Sequence, residues 1–207
     1  WLNTGVGQFC GAVLALPPTW FRYFHMAHHR HTQVPGKDPE LADPKPETLA
    51  AYLWHISGLP LWQSTAQTLW RHALGRCDDG FVPKARLSTV RREARAMLAL
   101  YAGLALASLA AQSALLIWVW LLPMLVGQPF LRLYLLAEHG RCAFVANMFE
   151  NTRTTYTTRA MRALAWNMPY HTEHHAYPAV PFHRLPDLHR LMALHLAVTE
   201  RGYARFN

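Results

Sequence analysis

The chain has 207 residues, enough for one domain with a sizeable core. Lysine and arginine outnumber aspartate and glutamate by 20 to 12, and the resulting net charge of +8 favours an anionic partner. Since 52% of the residues are hydrophobic and the basic residues flank apolar runs, the composition argues against a nucleic-acid-binding protein and favours a membrane surface. The spacing of Cys10, Cys77 and Cys142 fits neither a disulfide framework nor a thiolate site, so we expect reduced, structural cysteines that face the cytosol.

The first 24 residues are mostly apolar, but Pro17 and Pro18 interrupt them. Because a spanning helix needs about 20 uninterrupted apolar residues, we expect an interfacial segment here. The segment leads into "HMAHHRHT", residues 25 to 32. Helical geometry would place three of its histidines on one face and His31 to the side. The three are at i, i+3 and i+4: His25, His28 and His29.

A polar, proline-rich stretch at 33–47 has turn chemistry and is predicted to be a loop. Residues 49–70 are apolar with interruptions and carry Trp54, Trp62 and Trp70. Tryptophan favours the headgroup region, so we expect one interfacial helix over this range.

Residues 96–131 contain no charged side chain, the strongest membrane signal in the chain. One helix of that length would extend about 54 Å, against a hydrocarbon core of roughly 30 Å. We therefore predict a transmembrane hairpin that turns near Gln112 and Ser113, with Pro123, Gly127 and Pro129 kinking the returning helix. A very apolar pair of soluble helices is the alternative. The basic stretch at 84–95 predicts that both ends of the hairpin, and both histidine clusters, face the cytoplasm.

The sequence "HTEHH", residues 171 to 175, repeats the i, i+3, i+4 spacing with His171, His174 and His175. With 13 histidines in the chain, about 0.05 copies of this spacing are expected by chance. A compositionally histidine-rich surface is the alternative to a site. Six imidazoles are too many for one four-coordinate ion, and the scarcity of thiolates and carboxylates argues against iron–sulfur, magnesium and calcium. Two metal ions sharing the set is the simpler interpretation, and iron that activates dioxygen is the chemistry we expect.

These clusters resemble the second and third histidine boxes of the membrane fatty acid desaturase superfamily. "DPE" after the first cluster and "NMPYHTEHHAYPAVP" around the second resemble its bacterial members. The resemblance runs from about Trp1 to His195 and implies an all-α integral membrane protein. This fold would comprise a transmembrane helical hairpin, interfacial helices and a cytoplasmic helical cap carrying the boxes. It also implies an enzyme with two iron ions that uses dioxygen as co-substrate and takes electrons from an external protein of ferredoxin, rubredoxin or cytochrome b5 type. The substrate would be an acyl-lipid or acyl-CoA in which a C=C bond is introduced.

Residue by residue, the resemblance implies metal ligation by the two histidine triads and by His139 of "LLAEHG". The family's earlier HxxxH box has no counterpart ahead of His25, and the chain starts at Trp1. We therefore expect a single desaturase-like domain over 1–207 that lacks the first box and the first transmembrane pair. Such a piece would bind metal incompletely and be inactive. Two alternatives stay open: a hydroxylase or ketolase of the same superfamily acting on an alkane, carotenoid or sphingoid substrate, and a degenerate, non-catalytic membrane metal binder.

Other polar residues near the boxes are candidates for supporting roles. Glu138 or Glu173 would hold a ligand imidazole through its second nitrogen. His31 is a weaker candidate for the same role, and Asn167 and Tyr170 would orient the last box. We interpret His183, His189 and His195 as surface or interface residues. The remaining candidates are Arg153, Arg159 and Arg162, which would contact an acidic electron carrier, lipid headgroups or solvent.

Overall fold

Two helices form the start of the chain, α1 (Leu2–Leu14) and α2 (Pro18–His31). They are separated where the prolines occur, because Pro17 and Pro18 lack the N–H that a continuous helix needs. Ala15 ends α1 in the left-handed conformation, with φ of 58°. The second helix carries the whole first histidine cluster.

The computed structural model describes residues 1–43 and 45–207. The described part of the predicted loop at 33–47 consists of turns and a 3₁₀ turn at Pro39–Ala42, whereas Pro44 lies outside the described residues. Asp38 caps this turn by accepting a hydrogen bond from the backbone N–H of Glu40.

The single helix expected over 49–70 is wrong, because the structure has two, α3 (Leu49–Ile56) and α4 (Leu59–Ala73). The chain bends at Gly58, which has φ of +74°, a conformation that side chains disfavour. A Cβ on Gly58 would lie 2.5 Å from the Cβ of Gln128, so a larger residue would not fit. Pro60 then lies in the first turn of α4, where its missing N–H costs nothing.

Two long apolar helices follow: α5 (Leu87–Ala110), after a 3₁₀ turn at Lys84–Arg86, and α6 (Leu122–His139), after a π-helical turn at Ile117–Leu121. The residues between them include Gln112 and Ser113, so the expected position of the turn is confirmed. The stretches Lys84–Ala110 and Ile117–His139 are each long and apolar enough to cross a membrane. In each stretch, only 11% of the most apolar 18-residue segment is buried, whereas the core helices of a soluble protein are mostly buried. Pro129 lies inside α6.

The described residues form two compact units: Trp1–Met26 with Leu49–Pro129, and Ala27–Thr48 with Phe130–Asn207. The single domain expected over 1–207 stays a prediction. In the first unit, Leu69 of α4 packs on Ala94 and Met97 of α5. The buried Glu93 also accepts hydrogen bonds from the backbone N–H and the hydroxyl of Thr19 at the start of α2.

The second unit is built from short elements: α7 (Met148–Asn151), β1 (Thr154–Tyr156), α8 (Arg159–Leu164), α9 (His171–Ala176), α10 (Leu185–Met192), β2 (Thr199–Arg201) and α11 (Tyr203–Phe206). The strands pair in parallel, with Thr154 opposite Thr199 and Tyr156 opposite Arg201. The described residues are mostly helical and include two helices that could span a membrane, as the all-α expectation requires, and they add one short two-stranded sheet. Three residues per strand give no readable alternation, so sequence periodicity could not show this sheet.

Candidate metal centre

The second unit brings four histidines from three helices into contact, and we call His28, His139, His171 and His175 the inner histidine cluster. All four are buried, with exposed fractions between 3% and 6%. The ring centroids of His28 lie 4.9 Å from those of both His139 and His175. The ligand nitrogens of His28, His139 and His175 lie within 4.8 Å of one another, close enough to hold one ion. The inner histidine cluster thus draws on α2, the end of α6 and α9.

The proton on His28 is fixed by Asp38. Nδ1 of His28 lies 3.0 Å from one carboxylate oxygen of Asp38, which can only accept a hydrogen bond. Nδ1 therefore carries the hydrogen and Nε2 presents a lone pair. Burial alone would raise the pKa of Asp38, but the hydrogen bond from His28 and the N–H groups of Gln33 and Glu40 hold this pKa below its ordinary value.

The proton on His175 is fixed by Thr32. The hydroxyl of Thr32 donates its hydrogen to the carbonyl of His28 at 2.7 Å, so its oxygen is left to accept. Nδ1 of His175 lies 3.0 Å from that oxygen and must carry the hydrogen. Nε2 of His175 is therefore unprotonated.

The proton on His139 is placed by a backbone carbonyl. Its Nδ1 donates to the carbonyl of Asn151 at 3.1 Å, which again leaves Nε2 as a lone pair. Asn151 is itself held, because its side-chain amide donates to the carbonyls of Thr32 and Val145 at 2.8 Å.

The unprotonated Nε2 atoms of His139 and His175 both lie close to Nε2 of the fourth histidine, His171. Nε2 of His171 lies 3.1 Å from Nε2 of both His139 and His175. A proton on His171 could satisfy one of these nitrogens but not both, so protons alone leave lone pairs facing each other. A cation resolves this, and nitrogens about 2.1 Å from one ion and at right angles lie about 3.0 Å apart. The donor set therefore fits a metal ion that prefers imidazole.

The electrostatics also favour ligation. Burial lowers the pKa of His171 and His175 well below the ordinary value, and the neighbouring histidines lower both further. Both imidazoles are therefore neutral at physiological pH, the form that binds metal. Oε1 of Glu138 lies 3.4 Å from Nδ1 of His171. The two groups lack hydrogen-bond alignment, so Glu138 lies beside the ring of His171 and its expected supporting role stays a prediction.

A second group of histidines lies beside the inner cluster. The ring of His29 stacks on that of His175 at 4.2 Å and meets the ring of His174 edge-on at 4.6 Å. His25 precedes His29 by one turn of α2 and belongs to the first unit. Ligation by these three residues stays a prediction.

Several residues that the sequence singled out have other partners. Both carboxylate oxygens of Glu173 accept from side chains outside the box, those of Thr154 and His189, so the expectation that Glu173 holds a ligand ring is corrected. Asn167 donates to the carbonyl of Phe182 and so braces the loop before α9. His31 ends α2, where its carbonyl accepts from the N–H of Val34, and its expected supporting role stays a prediction.

Two surface assignments were wrong. Arg153 is buried, and its guanidinium donates to the carbonyls of Ala137 and Gly140 at the end of α6. His189 is largely buried and binds Glu173, whereas His183 and His195 are exposed as expected. A charge count cannot separate these cases, because it does not show which carbonyls or carboxylates the folded chain brings next to each side chain.

The sequence analysis assigned no role to Thr32, Asp38 or Asn151, although they fix three of the four rings. Asp38 had a visible signal, since it lies in the "DPE" segment that supports the family resemblance. Thr32 and Asn151 had none, because Thr32 meets His175 across 143 positions and Asn151 holds His139 through a backbone carbonyl, which every residue carries.

The first unit holds a separate polar cluster. His72, Cys77 and Asp79 lie close enough to share an ion, a grouping that the cysteine spacing did not suggest. However, Asp79 already accepts from Trp20 at 3.0 Å, Arg71 at 3.0 Å and His72 at 2.9 Å. Burial raises the pKa of the Cys77 thiol, and the Asp79 charge raises it further, which disfavours the thiolate. We therefore describe this group as an ion-pair cluster.

The comparison with protein families gives one match. Among curated proteins, no significant match is found. Residues 1–205 match the fatty acid desaturase family, a span that includes every histidine of the inner cluster. The chain therefore belongs to the fatty acid desaturase family.

Proposed function

We propose that the chain is an oxygen-dependent di-iron oxidoreductase that introduces a C=C bond into the acyl chain of an acyl-lipid or acyl-CoA. The observation that carries the proposal is the inner histidine cluster. In His28, His139 and His175 the Nδ1–H group donates a hydrogen bond, and the Nε2 lone pairs are turned toward one another. Family membership supports the reaction class.

The described residues would divide the metal binding between two sets. The inner histidine cluster would hold one iron ion, and His25, His29 and His174 would contribute to the second. Bound there, iron supplies what no side chain can, the oxidation of an unactivated C–H bond by dioxygen with electrons from an external carrier.

The chain's own residues keep the ligands ready. Asp38, Thr32 and the carbonyl of Asn151 each hold an Nδ1–H, so His28, His175 and His139 cannot turn or change tautomer without breaking a buried hydrogen bond. Such a loss costs roughly 1–3 kcal/mol per group. The rings are thus oriented before metal arrives.

The membrane context supports a lipid substrate. The two long helices are apolar and leave most of their surface uncovered by protein. Five basic residues lie at the start of the first, and cationic residues near span ends prefer the cytoplasmic side. We infer that the protein is integral to the membrane and that its metal centre faces the cytoplasm, where a ferredoxin, rubredoxin or cytochrome b5 type carrier would deliver electrons. The five are Lys84, Arg86, Arg91, Arg92 and Arg95.

The test measures iron content and lipid products together. The full reading frame that encodes this chain is expressed in a host with a compatible electron donor, beside His175→Ala and the matched control His183→Ala, an exposed histidine of the same unit. We expect about two irons per chain and a new unsaturated lipid in the wild type and the control, and loss of both in His175→Ala.

Other products would change the assignment. Iron with a hydroxylated or keto product would replace the desaturase with a hydroxylase or ketolase. Iron without any product would favour a non-catalytic metal binder. A wild-type chain without iron would overturn the proposal.

A further inference from the structure

Glu173 lies in the middle of the last histidine box but does not face the ligands. In a helix, the i, i+3 and i+4 positions of His171, His174 and His175 share one face, and i+2 falls on the opposite side. Glu173 is nevertheless fully buried, with an exposed fraction of 0%. A buried carboxylate needs partners, and here they come from outside the box.

Two side chains satisfy this carboxylate. The hydroxyl of Thr154 in β1 donates to Oε2 at 2.6 Å, and Nδ1 of His189 in α10 lies 2.5 Å from Oε1. Because a carboxylate can only accept, Nδ1 of His189 carries the hydrogen. The His189 side chain is 15% exposed, so this contact connects the buried helix to α10 near the surface.

His189 also touches the residue that precedes the helix. Its ring stacks on Tyr170 with centroids 4.6 Å apart and planes 29° apart. Tyr170 is held in turn, because Arg162 donates to its hydroxyl at 2.6 Å. His189 therefore contacts both Tyr170, at the N-cap position, and Glu173, in the first turn, and spans the beginning of α9.

This short helix depends on such contacts. With six residues, α9 is far below the length of about 12–15 at which an isolated helix becomes stable. Its N-cap position is occupied by Tyr170, where serine, threonine, aspartate or asparagine is preferred. Neighbouring elements must therefore set the positions of its three histidines.

We propose that His189 is a positioning residue for the metal centre. It acts through its hydrogen bond to Glu173 to hold α9 so that the Nε2 atoms of His171 and His175 stay where an ion can bind both. The proposal rests on the proposed function in one respect, that the inner histidine cluster holds iron. His189 reaches no ligand ring through these contacts, so its effect is on geometry.

The test uses variants that separate the hydrogen bond from the ring contact. His189→Asn keeps an N–H donor near the position of Nδ1, and His189→Phe keeps the stacking ring but removes the donor. His183→Ala serves as the matched control. The purified proteins in detergent are loaded anaerobically with Fe(II), and the rate of iron loss to a chelator is measured beside the unfolding temperature of the metal-free form.

We expect His189→Phe to lose iron roughly tenfold faster than the wild type, the usual size of an effect transmitted through a ligand's support. His189→Asn should stay within about twofold of the wild type, and His183→Ala should be unchanged. The unfolding temperatures of the metal-free forms should differ far less than these rates. Rescue by asparagine marks a specific hydrogen bond, which a space-filling role would not produce.

Two results would overturn the proposal: iron retention by His189→Phe equal to that of the wild type, or equal losses in the Asn and Phe variants with a matching fall in unfolding temperature. The wild-type protein alone shows whether the proposed function fails. If the wild type holds iron but forms no product, the iron-loss rates still decide the role of His189. If it holds no iron, both proposals are overturned.

Discussion

The inner histidine cluster buries polar side chains, whereas the two long apolar helices expose apolar ones. Around the cluster, histidine, threonine, asparagine and aspartate are almost fully buried, each with a hydrogen-bond partner or a place beside the converging nitrogens. Along α5 and α6, leucine, valine and phenylalanine side chains are exposed, as Leu109 and Phe130 illustrate at 74% and 72%. A protein in water would reverse this pattern.

The difference shows where each region obtains its stability. The side chains of the apolar helices have few protein neighbours to pack against, as we expect of helices that obtain their stability from lipid. The cluster depends on a connected set of hydrogen bonds, in which each partner removed leaves a buried donor or acceptor unsatisfied. Changes to the two regions should therefore produce different failures, in membrane insertion and in metal binding respectively.

The largest expected effect comes from a charge in the apolar region. Leu100→Arg places a cation near the middle of Lys84–Ala110, on a side chain that is 46% exposed. We expect a cost of about 3 kcal/mol for insertion, seen as a large fall in the fraction that resists carbonate extraction. Leu191→Arg, at a 77% exposed leucine of α10, is the control and should not change that fraction. Equal behaviour of the two variants would contradict a membrane role for α5.

The next effect falls on the cluster. Asp38→Asn keeps the shape of the side chain but cannot accept from His28, Gln33 and Glu40 at once. We expect iron affinity to fall by about 10–100-fold, measured by competition with a chelator, while carbonate extraction stays normal. Asp43→Asn, an exposed residue of the same loop, is the control. Iron affinity unchanged in Asp38→Asn would refute the role given to Asp38.

A third prediction concerns the ion-pair cluster of the first unit. Burial raises the pKa of Asp79, but hydrogen bonds from His72 and Trp20 and the charge of Arg71 outweigh it and lower this pKa to about 2. Because the pKa of Asp79 is lower in the folded protein, its ionised carboxylate stabilises the fold at any pH above the ordinary pKa of aspartate. That stability is lost as pH falls from about 4 toward 2. Asp79→Asn should cost about 2 kcal/mol at neutral pH.

The same variant should also flatten the acid dependence of the unfolding temperature between pH 4 and 2, and leave iron content unchanged. Asp78→Asn, an exposed neighbour, should change neither quantity. Loss of iron in Asp79→Asn would show that the two regions are coupled.

The smallest effect tests one hydrogen bond of the cluster. Thr32→Val removes the oxygen that accepts from Nδ1 of His175 and the hydrogen given to the carbonyl of His28. We expect a cost of about 1 kcal/mol, or roughly fivefold in the rate of iron loss. Thr32→Ser retains the hydroxyl and should match the wild type. A serine variant as impaired as the valine variant would mean that the methyl group, not the hydrogen bond, matters.

The sequence could predict what depends on local periodicity. The uncharged run of residues 96–131 predicted two long helices and the position of the turn between them, because length and charge suffice for that inference. The histidine spacing predicted that both triads belong to metal sites, and the structure brings members of both together, while ligation itself stays a prediction. The break at Gly58 was missed although Gly58 and Pro60 both lie in the range, because a glycine can also continue a helix and its positive φ is seen only in the folded chain.

What the sequence could not predict are the partners of the ligands. Thr32 and His175 are separated by 143 positions, and His189 and Glu173 belong to different helices. No single-sequence periodicity connects them, and polar residues of this kind are common on surfaces. Arg153 was misplaced for the same reason, since its acceptors are backbone carbonyls that carry no sequence signal.

The most direct test of the central claim is X-ray absorption at the iron edge of the purified, Fe(II)-loaded protein. The account predicts a first shell dominated by imidazole nitrogens at about 2.1 Å, with ring scattering that weakens in His175→Ala and persists in His183→Ala. A shell of oxygen or sulfur without imidazole scattering, or a spectrum unchanged in His175→Ala, would contradict iron binding by the inner histidine cluster.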